Sequence, residues 1–264
     1  MNLGVSTACL YPAETEKALC QLLEMGFREF EFFLNTFSET QKEYLLSLRS
    51  QVEKSGAKVI SIHPFTSAFE NMLFFSDYPR RTRDGIQFYH CFFEAANLLG
   101  AKILVLHGQR NYQHSKITEE EYLENYHQLF QEGKRFGITV AQENVVHFRS
   151  EKVDFIRRMG ESLGEECAFV LDIKQAVRAG ESPLEMCRAM GKQLVHVHLN
   201  DHREGADCLL PGQGNFDFNN LFQILQETGY HGQGVIEVYR NNYSDPKELW
   251  QAREYLLGQC MGNL

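Results

Sequence analysis

A single closed (β/α)8 barrel, of the α/β class, is the fold this sequence predicts, and three observations carry the expectation. A short apolar run followed by an amphipathic stretch of helix length recurs along the whole chain, at an average spacing of about thirty residues. The length of 264 residues sits close to the roughly 250 typical of one complete eight-fold barrel. The first apolar run is followed by Ser6-Thr7-Ala8-Cys9-Leu10, whereas an open doubly wound sheet would normally carry a Gly-rich phosphate loop at that point. The open sheet therefore ranks well below the barrel. No interdomain linker interrupts the pattern, so residues 1–264 read as one domain.

The first strand is expected at Leu3 to Thr7, with a helix over Ala13 to Met25. The second pair is Glu29 to Phe33 with Glu39 to Ser55, the third Val59 to His63 with Arg81 to Leu99, and the fourth Ile103 to His107 with Glu119 to Phe136. Thr139 to Glu143 with Lys152 to Leu163 makes the fifth, and Ala168 to Asp172 with Pro183 to Met190 the sixth. Leu194 to His198 with Phe218 to Thr228, and Val235 to Val238 with Pro246 to Leu257, complete the set. Each strand is brief and rich in Val, Ile, Leu or Phe. Several helices stop at glycine, as at Leu99-Gly100, where a C-terminal residue with positive φ is easiest for Gly. Alternation of the two element types makes the sheet parallel, and eight units permit closure.

Bulk properties narrow the function classes. With 43% hydrophobic and 23% charged residues, the chain can bury a sizeable core and shows no sign of disorder. No apolar run approaches the ~20 residues needed to span a bilayer, and Met1 to Leu10 lacks a basic region ahead of a long apolar stretch; a cytoplasmic protein without membrane partners is expected. A formal net charge of -9 without long Lys/Arg runs disfavours a nucleic acid partner. The seven cysteines are scattered without a CxxC pair, which indicates neither a zinc knuckle nor a disulfide framework, and most of them are expected to be reduced, buried small hydrophobes.

In a closed parallel barrel the catalytic groups sit where the strands run out, at the C-terminal face. The third strand here ends in His63, the fourth in His107, the fifth in Gln142-Glu143-Asn144, the sixth in Leu171-Asp172, the seventh in His196-Val197-His198-Leu199-Asn200-Asp201 and the eighth in Ile236-Glu237. Six of eight strands thus finish on an ionisable or metal-binding residue directly after an apolar run. Residues two apart share a strand face, so His196 and His198 point the same way. Carboxylates converging in a largely apolar mouth repel one another and lose hydration, a cost of several kcal/mol unless a cation neutralises them. Glu143, Asp172, His198 and Glu237, from four consecutive strands, make a three-oxygen, one-nitrogen set suited to one divalent ion, Mn2+, Mg2+, Co2+ or Zn2+.

The plainer readings have physical grounds too. A single acidic residue at a strand end is more often a helix N-cap or salt-bridge partner than a ligand, and Asp172, just ahead of a helix, could be only that. A core histidine is usually just hydrogen-bonded, which is the reading preferred for His196. It is the joint occurrence of the four residues, in strand order and with consistent parity, that favours a metal site.

At these residues the sequence resembles the xylose-isomerase-like TIM-barrel superfamily of sugar-phosphate isomerases and epimerases, ketose 3-epimerases, inosose isomerases and dehydratases, and endonuclease IV. The similarity spans essentially the whole chain. It is most specific at Gln142-Glu143-Asn144, Leu171-Asp172-Ile173, His196 to Asp201, Leu210-Pro211-Gly212-Gln213-Gly214-Asn215-Phe216-Asp217 and Gly234-Val235-Ile236-Glu237-Val238. The resemblance implies that Glu143, Asp172, His198 and Glu237 bind the metal and that Glu143 and Glu237 are the acid/base pair. Two departures matter. Where the family commonly has a histidine three residues after the sixth-strand Asp, this chain has Gln175, beside Lys174. Where endonuclease IV has an Asp-x-His element after the seventh strand, it has Asp207-Cys208-Leu209. The resemblance to endonuclease IV includes His63 and His107, but an abasic-site nuclease fails on the missing ligands and on charge.

The expected activity is isomerisation or epimerisation of a small sugar, sugar phosphate or inosose by proton transfer through an enediolate, a metal ion polarising adjacent carbonyl and hydroxyl oxygens. His63, His107, Lys174, Gln175 and Arg203 are the expected substrate contacts. Phe33, Phe65 and Trp250 could cover apolar sugar faces, although core packing is the commoner role of aromatics. A lyase of the inosose dehydratase kind, using the same residues to expel water, is the second reading. Barrels of this kind are often homo-oligomers, but the sequence reveals no interface.

Overall fold

Apolar runs and amphipathic stretches alternate in the computed structural model much as they do in the sequence; it describes residues 2–111 and 117–261. The barrel strands are β1 (Leu3–Ser6), β2 (Glu29–Leu34), β3 (Lys58–Pro64), β4 (Ile103–Leu106), β5 (Thr139–Glu143), β6 (Phe169–Asp172), β7 (Leu194–Leu199) and, after the short hairpin β8 (Asp201–Arg203) and β9 (Ala206–Leu209), β10 (Gln233–Ile236). The eight barrel strands close in the order β1-β10-β7-β6-β5-β4-β3-β2, every pairing parallel. Around them run α1 (Thr15–Glu24), α2 (Lys42–Lys54), α3 (Ser67–Leu73), α4 (Pro79–Leu99), α5 (Glu119–Arg135), α6 (Val153–Leu163), α7 (Ile173–Arg178), α8 (Pro183–Met190), α9 (Phe218–Glu227) and α10 (Glu248–Met261).

Local chemistry sets several helix ends. Thr118 and Glu121 form a reciprocal capping box at the start of α5, satisfying two backbone donors that would otherwise have no partner. Pro79 opens α4 and Gly100 closes it at φ 83, a conformation an L side chain resists. The outward faces of the strands meet the helices in an apolar layer. Phe30 and Phe32 of β2 and Tyr89, Phe92 and Phe93 of α4 are all fully buried there, each large side chain contributing about 1.5–3 kcal/mol. Four of the cysteines, Cys9, Cys167, Cys187 and Cys208, are buried as free thiols.

Three parts of the fold differ from the sequence expectation. The fourth strand stops at Leu106 because the backbone turns away at Gly108, whose N–H donates to Glu70 Oε2 at 2.6 Å; His107 therefore stands on a loop. Strand β10 begins two residues early, since Gly234 pairs with Leu3, and it ends before Glu237. That residue is nevertheless held beside β7 by its N–H bond to Leu199 O, 3.1 Å. The short helices α3 and α7 and the β8–β9 hairpin were not expected: each is too short for a periodic apolar pattern. Among the described residues no helix is long and apolar enough to cross a membrane.

Candidate functional site

Parallel pairing brings the strand ends to one level. Asp172 of β6 lies opposite His198 of β7, and His198 lies opposite Val235 of β10. Asn144 then clamps β5 to β6, its Oδ1 accepting from Asp172 N at 2.7 Å and its Nδ2 donating to Asp172 O at 3.0 Å. The result is that one ligand atom from each of Glu143, Asp172, His198 and Glu237 falls within 4.8 Å of the other three.

Within that quartet His198 Nδ1 is the hub. It lies 3.3 Å from Glu143 Oε1, 3.2 Å from Glu237 Oε2 and 3.8 Å from Asp172 Oδ2. Asp172 does cap α7, as the plainer reading held: Oδ1 accepts from Gln175 N and from Asn200 Nδ2. Its Oδ2 remains turned toward His198 and Lys174, so the cap and the quartet use different oxygens. All four side chains are buried, Glu237 the least at 9% exposure.

Burial opposes every charge in this cluster, and neighbours of opposite sign prevail. Glu143 is brought down to about 2 by His198, His63 and His107 against that penalty. Glu237 is held below the usual carboxylate range, first by Lys174 and then by His198, and Asp172 is lowered by the same two groups. His198 rises well above its ordinary value under the charges of Glu31 and Glu237. Each shift follows from desolvation losing to a close counter-charge.

This donor set fits a divalent ion. Three carboxylates and an imidazole without thiolate match hard or borderline ions. The Oε2 atom of Glu143 is buried without a hydrogen-bond partner, which leaves an acceptor free for an ion.

The matching family model is described as the xylose isomerase-like TIM barrel, and it covers residues 20–257. The chain belongs to that family. An inosose dehydratase of Clostridium botulinum is 25% identical over 284 residues, covering 96% of this chain and 84% of its own. The solved structure of a D-tagatose 3-epimerase-like protein superposes with a TM-score of 0.81 at 18% identity, covering 100% of this chain and 98% of the other. D-psicose 3-epimerase with D-tagatose, from Clostridium cellulolyticum H10, gives 0.78 at 16% identity, with 100% and 99% covered. At such identities these structural likenesses speak for the fold.

The other residues singled out from sequence occupy three kinds of place in this xylose isomerase-like barrel. His63 and His107 stand over Glu143, with Nε2 at 3.8 and 3.5 Å from its Oε2, and the three form a second group of donors within 4.8 Å. Lys174 is buried against Asp172 and Glu237 and lies over the Tyr239 ring. Gln175 uses its amide oxygen on Val146 N, 3.2 Å. Arg203 is exposed on the β8–β9 hairpin, donating to Gln213 O at 3.4 Å, apart from the quartet. Phe33 stacks on His63 with ring centroids 4.6 Å apart, which puts it beside the donors. Phe65 packs on Phe92, and Trp250 packs edge-on against Phe27, just ahead of β2 at the opposite end of the barrel. Trp250 is half-buried and packs against the core at the face that strands enter, the packing role the sequence favoured for it.

Two buried carboxylates at the site escaped the sequence reading. Glu31, fully buried in β2, accepts from Ser61 Oγ at 2.8 Å and from both His196 Nε2 and His198 Nε2 at 3.1 Å, so His196 is a hydrogen-bonded core histidine. Glu70, fully buried in α3, accepts from Tyr89 Oη at 3.1 Å and lies 3.6 Å from His107 Nδ1.

Proposed function

We propose that this chain is a divalent-metal-dependent isomerase or epimerase of a small sugar or polyol ketone, with Glu143 and Glu237 as its acid/base pair. The convergence of Glu143, Asp172, His198 and Glu237 within 4.8 Å carries the reading, and it accords with the epimerases named above. Those four residues would hold the ion, Mn2+, Mg2+, Co2+ or Zn2+. The chemistry it supplies when bound is Lewis-acid polarisation of a substrate carbonyl and its neighbouring hydroxyl.

The protein's own groups account for the proton transfers. Glu143 is ionised, and its unpartnered Oε2 is the atom that takes the proton from the carbon beside the carbonyl, leaving an enediolate. Glu237 returns a proton that it draws from the Lys174 ammonium 3.0 Å away, and the proton left on Glu143 passes back to Lys174 through solvent as product leaves, so the cycle closes without net change. Delivery to the opposite face yields the epimer, and delivery to the neighbouring carbon yields the isomer. Each acid/base step contributes on the order of 10² to 10⁴-fold. His63 and His107, beside Glu143 Oε2, orient substrate hydroxyls, and Phe33, stacked on His63, faces the apolar side of the sugar.

A lyase remains the second reading because Lys174 lies buried 3.0 Å from Glu237 Oε2, where an ammonium could protonate a departing hydroxyl. The inosose dehydratase relative accords with it. Incubating the Mn2+-supplemented protein with ketoses and inososes in D2O separates the two. Exchange of deuterium into recovered or isomerised substrate supports the first reading, and product lighter by one water supports the second. Glu143→Gln and Glu237→Gln should each abolish turnover in a folded chain. Near wild-type activity in either would refute the two-base scheme.

A further inference from the structure

Glu31 sits at the edge of the His198 ring facing away from the quartet. A register slip puts it there: β2 pairs with β3 so that Phe30 opposes Val59 but Glu31 opposes Ser61, skipping Ile60. Since a one-residue slip exchanges strand faces, Glu31 meets a hydroxyl rather than an isoleucine. Its Oε2 then gathers three donors, Ser61 Oγ, His196 Nε2 and His198 Nε2. A carboxylate only accepts, so the hydrogen on this edge of His198 is carried by Nε2. The other ring nitrogen, Nδ1, is the one directed at Glu143, Asp172 and Glu237.

We propose that Glu31 is a positioning residue that fixes His198 as its Nε2–H tautomer and sets the ring so that Nδ1 presents its lone pair to the divalent ion. The inference rests on the metal reading above and assigns a role to a residue outside the ligand set. Two further features support it. His196 stands at 90° to His198 with centroids 5.1 Å apart and bonds the same Glu31 oxygen, so the three side chains brace one another. The second oxygen, Oε1, is buried without a hydrogen-bond partner. Apolar residues of similar volume would hold a barrel centre together without that desolvation cost. A carboxylate behind a ligating histidine orients the ring and raises its basicity, and its loss typically weakens metal affinity by about 10–100-fold.

The test uses the full chain with Mn2+ and Zn2+ as probes. Long-range 1H–15N spectra of the Zn2+-loaded wild type should show His198 protonated at Nε2. The Mn2+ dissociation constant, read from the electron paramagnetic resonance of free ion, should rise on the order of 10–100-fold in Glu31→Gln, with circular dichroism confirming the fold. A Nδ1–H signature for His198, or Mn2+ binding by folded Glu31→Gln within about twofold of wild type, overturns the role of Glu31 alone. If that variant does not fold, the wild-type spectrum decides. A wild-type chain that binds neither ion overturns the metal reading and this inference together.

Discussion

The Lys174 ammonium stands 3.0 Å from Glu237 Oε2, inside the ring of buried carboxylates. It also lies 2.9 Å from Asp172 Oδ2, so it and His198 together offset charge that would otherwise force the quartet apart. Lys174→Met should therefore destabilise the metal-free chain by about 3–5 kcal/mol, as removal of one partner from a buried ion pair generally does. Added Mn2+ should recover much of that loss. Thermal melts with EDTA and with excess Mn2+ measure both effects. A midpoint unchanged in EDTA would show that the carboxylates do not depend on this cation.

The same charges set how the metal-free fold responds to pH. Glu143 titrates at about 2 when folded against 4.5 as its ordinary value, and Asp172 and Glu237 move in the same direction. Their stabilisation is present above about pH 4.5 and is lost as pH falls toward 2. His198 is shifted upward from 6.5; its contribution is complete below that value and fades as pH rises through its folded pKa. His107 moves with His198 and His196 against it, so two of the three favour the acid side. Urea midpoints in EDTA at pH 3, 5.5 and 8.5 should peak at the middle value. A midpoint that keeps climbing to pH 8.5 would contradict the assignment of His198.

Strand ends were legible in the sequence because an apolar run that stops on Glu, Asp or His is a local event. Glu143, Asp172, His198 and Glu237 could be named from four such events, and parallel pairing did the rest. Glu31 left no comparable mark. It lies in the middle of Phe30-Glu31-Phe32, and alternation does turn it inward, but its strand ends on Phe33-Leu34 and its partner is set by the slip beside Ile60. Register of that kind depends on the neighbouring strand. Glu70 was hidden for another reason: α3 has seven residues, too few for a helical period, and the partners of Glu70, Tyr89 and Gly108, come from a later helix and a loop.

Ion binding should stabilise the folded chain measurably. Only the folded state assembles the quartet, so an ion at a hundred times its dissociation constant adds about 2.7 kcal/mol. In a chain of this size each kcal/mol moves the melting temperature by roughly 2–4 °C, giving a rise of about 5–10 °C. Differential scanning calorimetry of EDTA-treated protein, before and after Mn2+, reads it directly. Asp172→Asn should reduce the rise, since one of the three oxygens of the set loses its charge. An equal rise in that variant would place the bound ion elsewhere.

Asp201 carries the loop from Leu210 to Asp217 on a single carboxylate. Oδ1 accepts from the N–H groups of His202 (2.8 Å) and Phe216 (3.0 Å), and Oδ2 from those of Gly212 and Gly214, both 2.9 Å. The approach is tight enough that a Cβ added to Gly214 would stand near the carboxylate and His202 O, which is why that turn takes glycine. Asn offers one acceptor oxygen, and its amide nitrogen would confront two backbone donors. Asp201→Asn should then cost about 2–4 kcal/mol, the sum of two lost charge-assisted bonds and two unsatisfied N–H groups, partly relieved by water at this half-exposed loop. Because Asp201 follows Asn200, whose Nδ2 donates to Asp172 Oδ1 at 3.1 Å, the loosening should reach the quartet and weaken Mn2+ binding as well as stability. Urea unfolding and Mn2+ titration of the one variant test the two effects separately. A stability loss with unchanged Mn2+ affinity would confine Asp201 to the loop and leave Asn200 to hold Asp172 unaided.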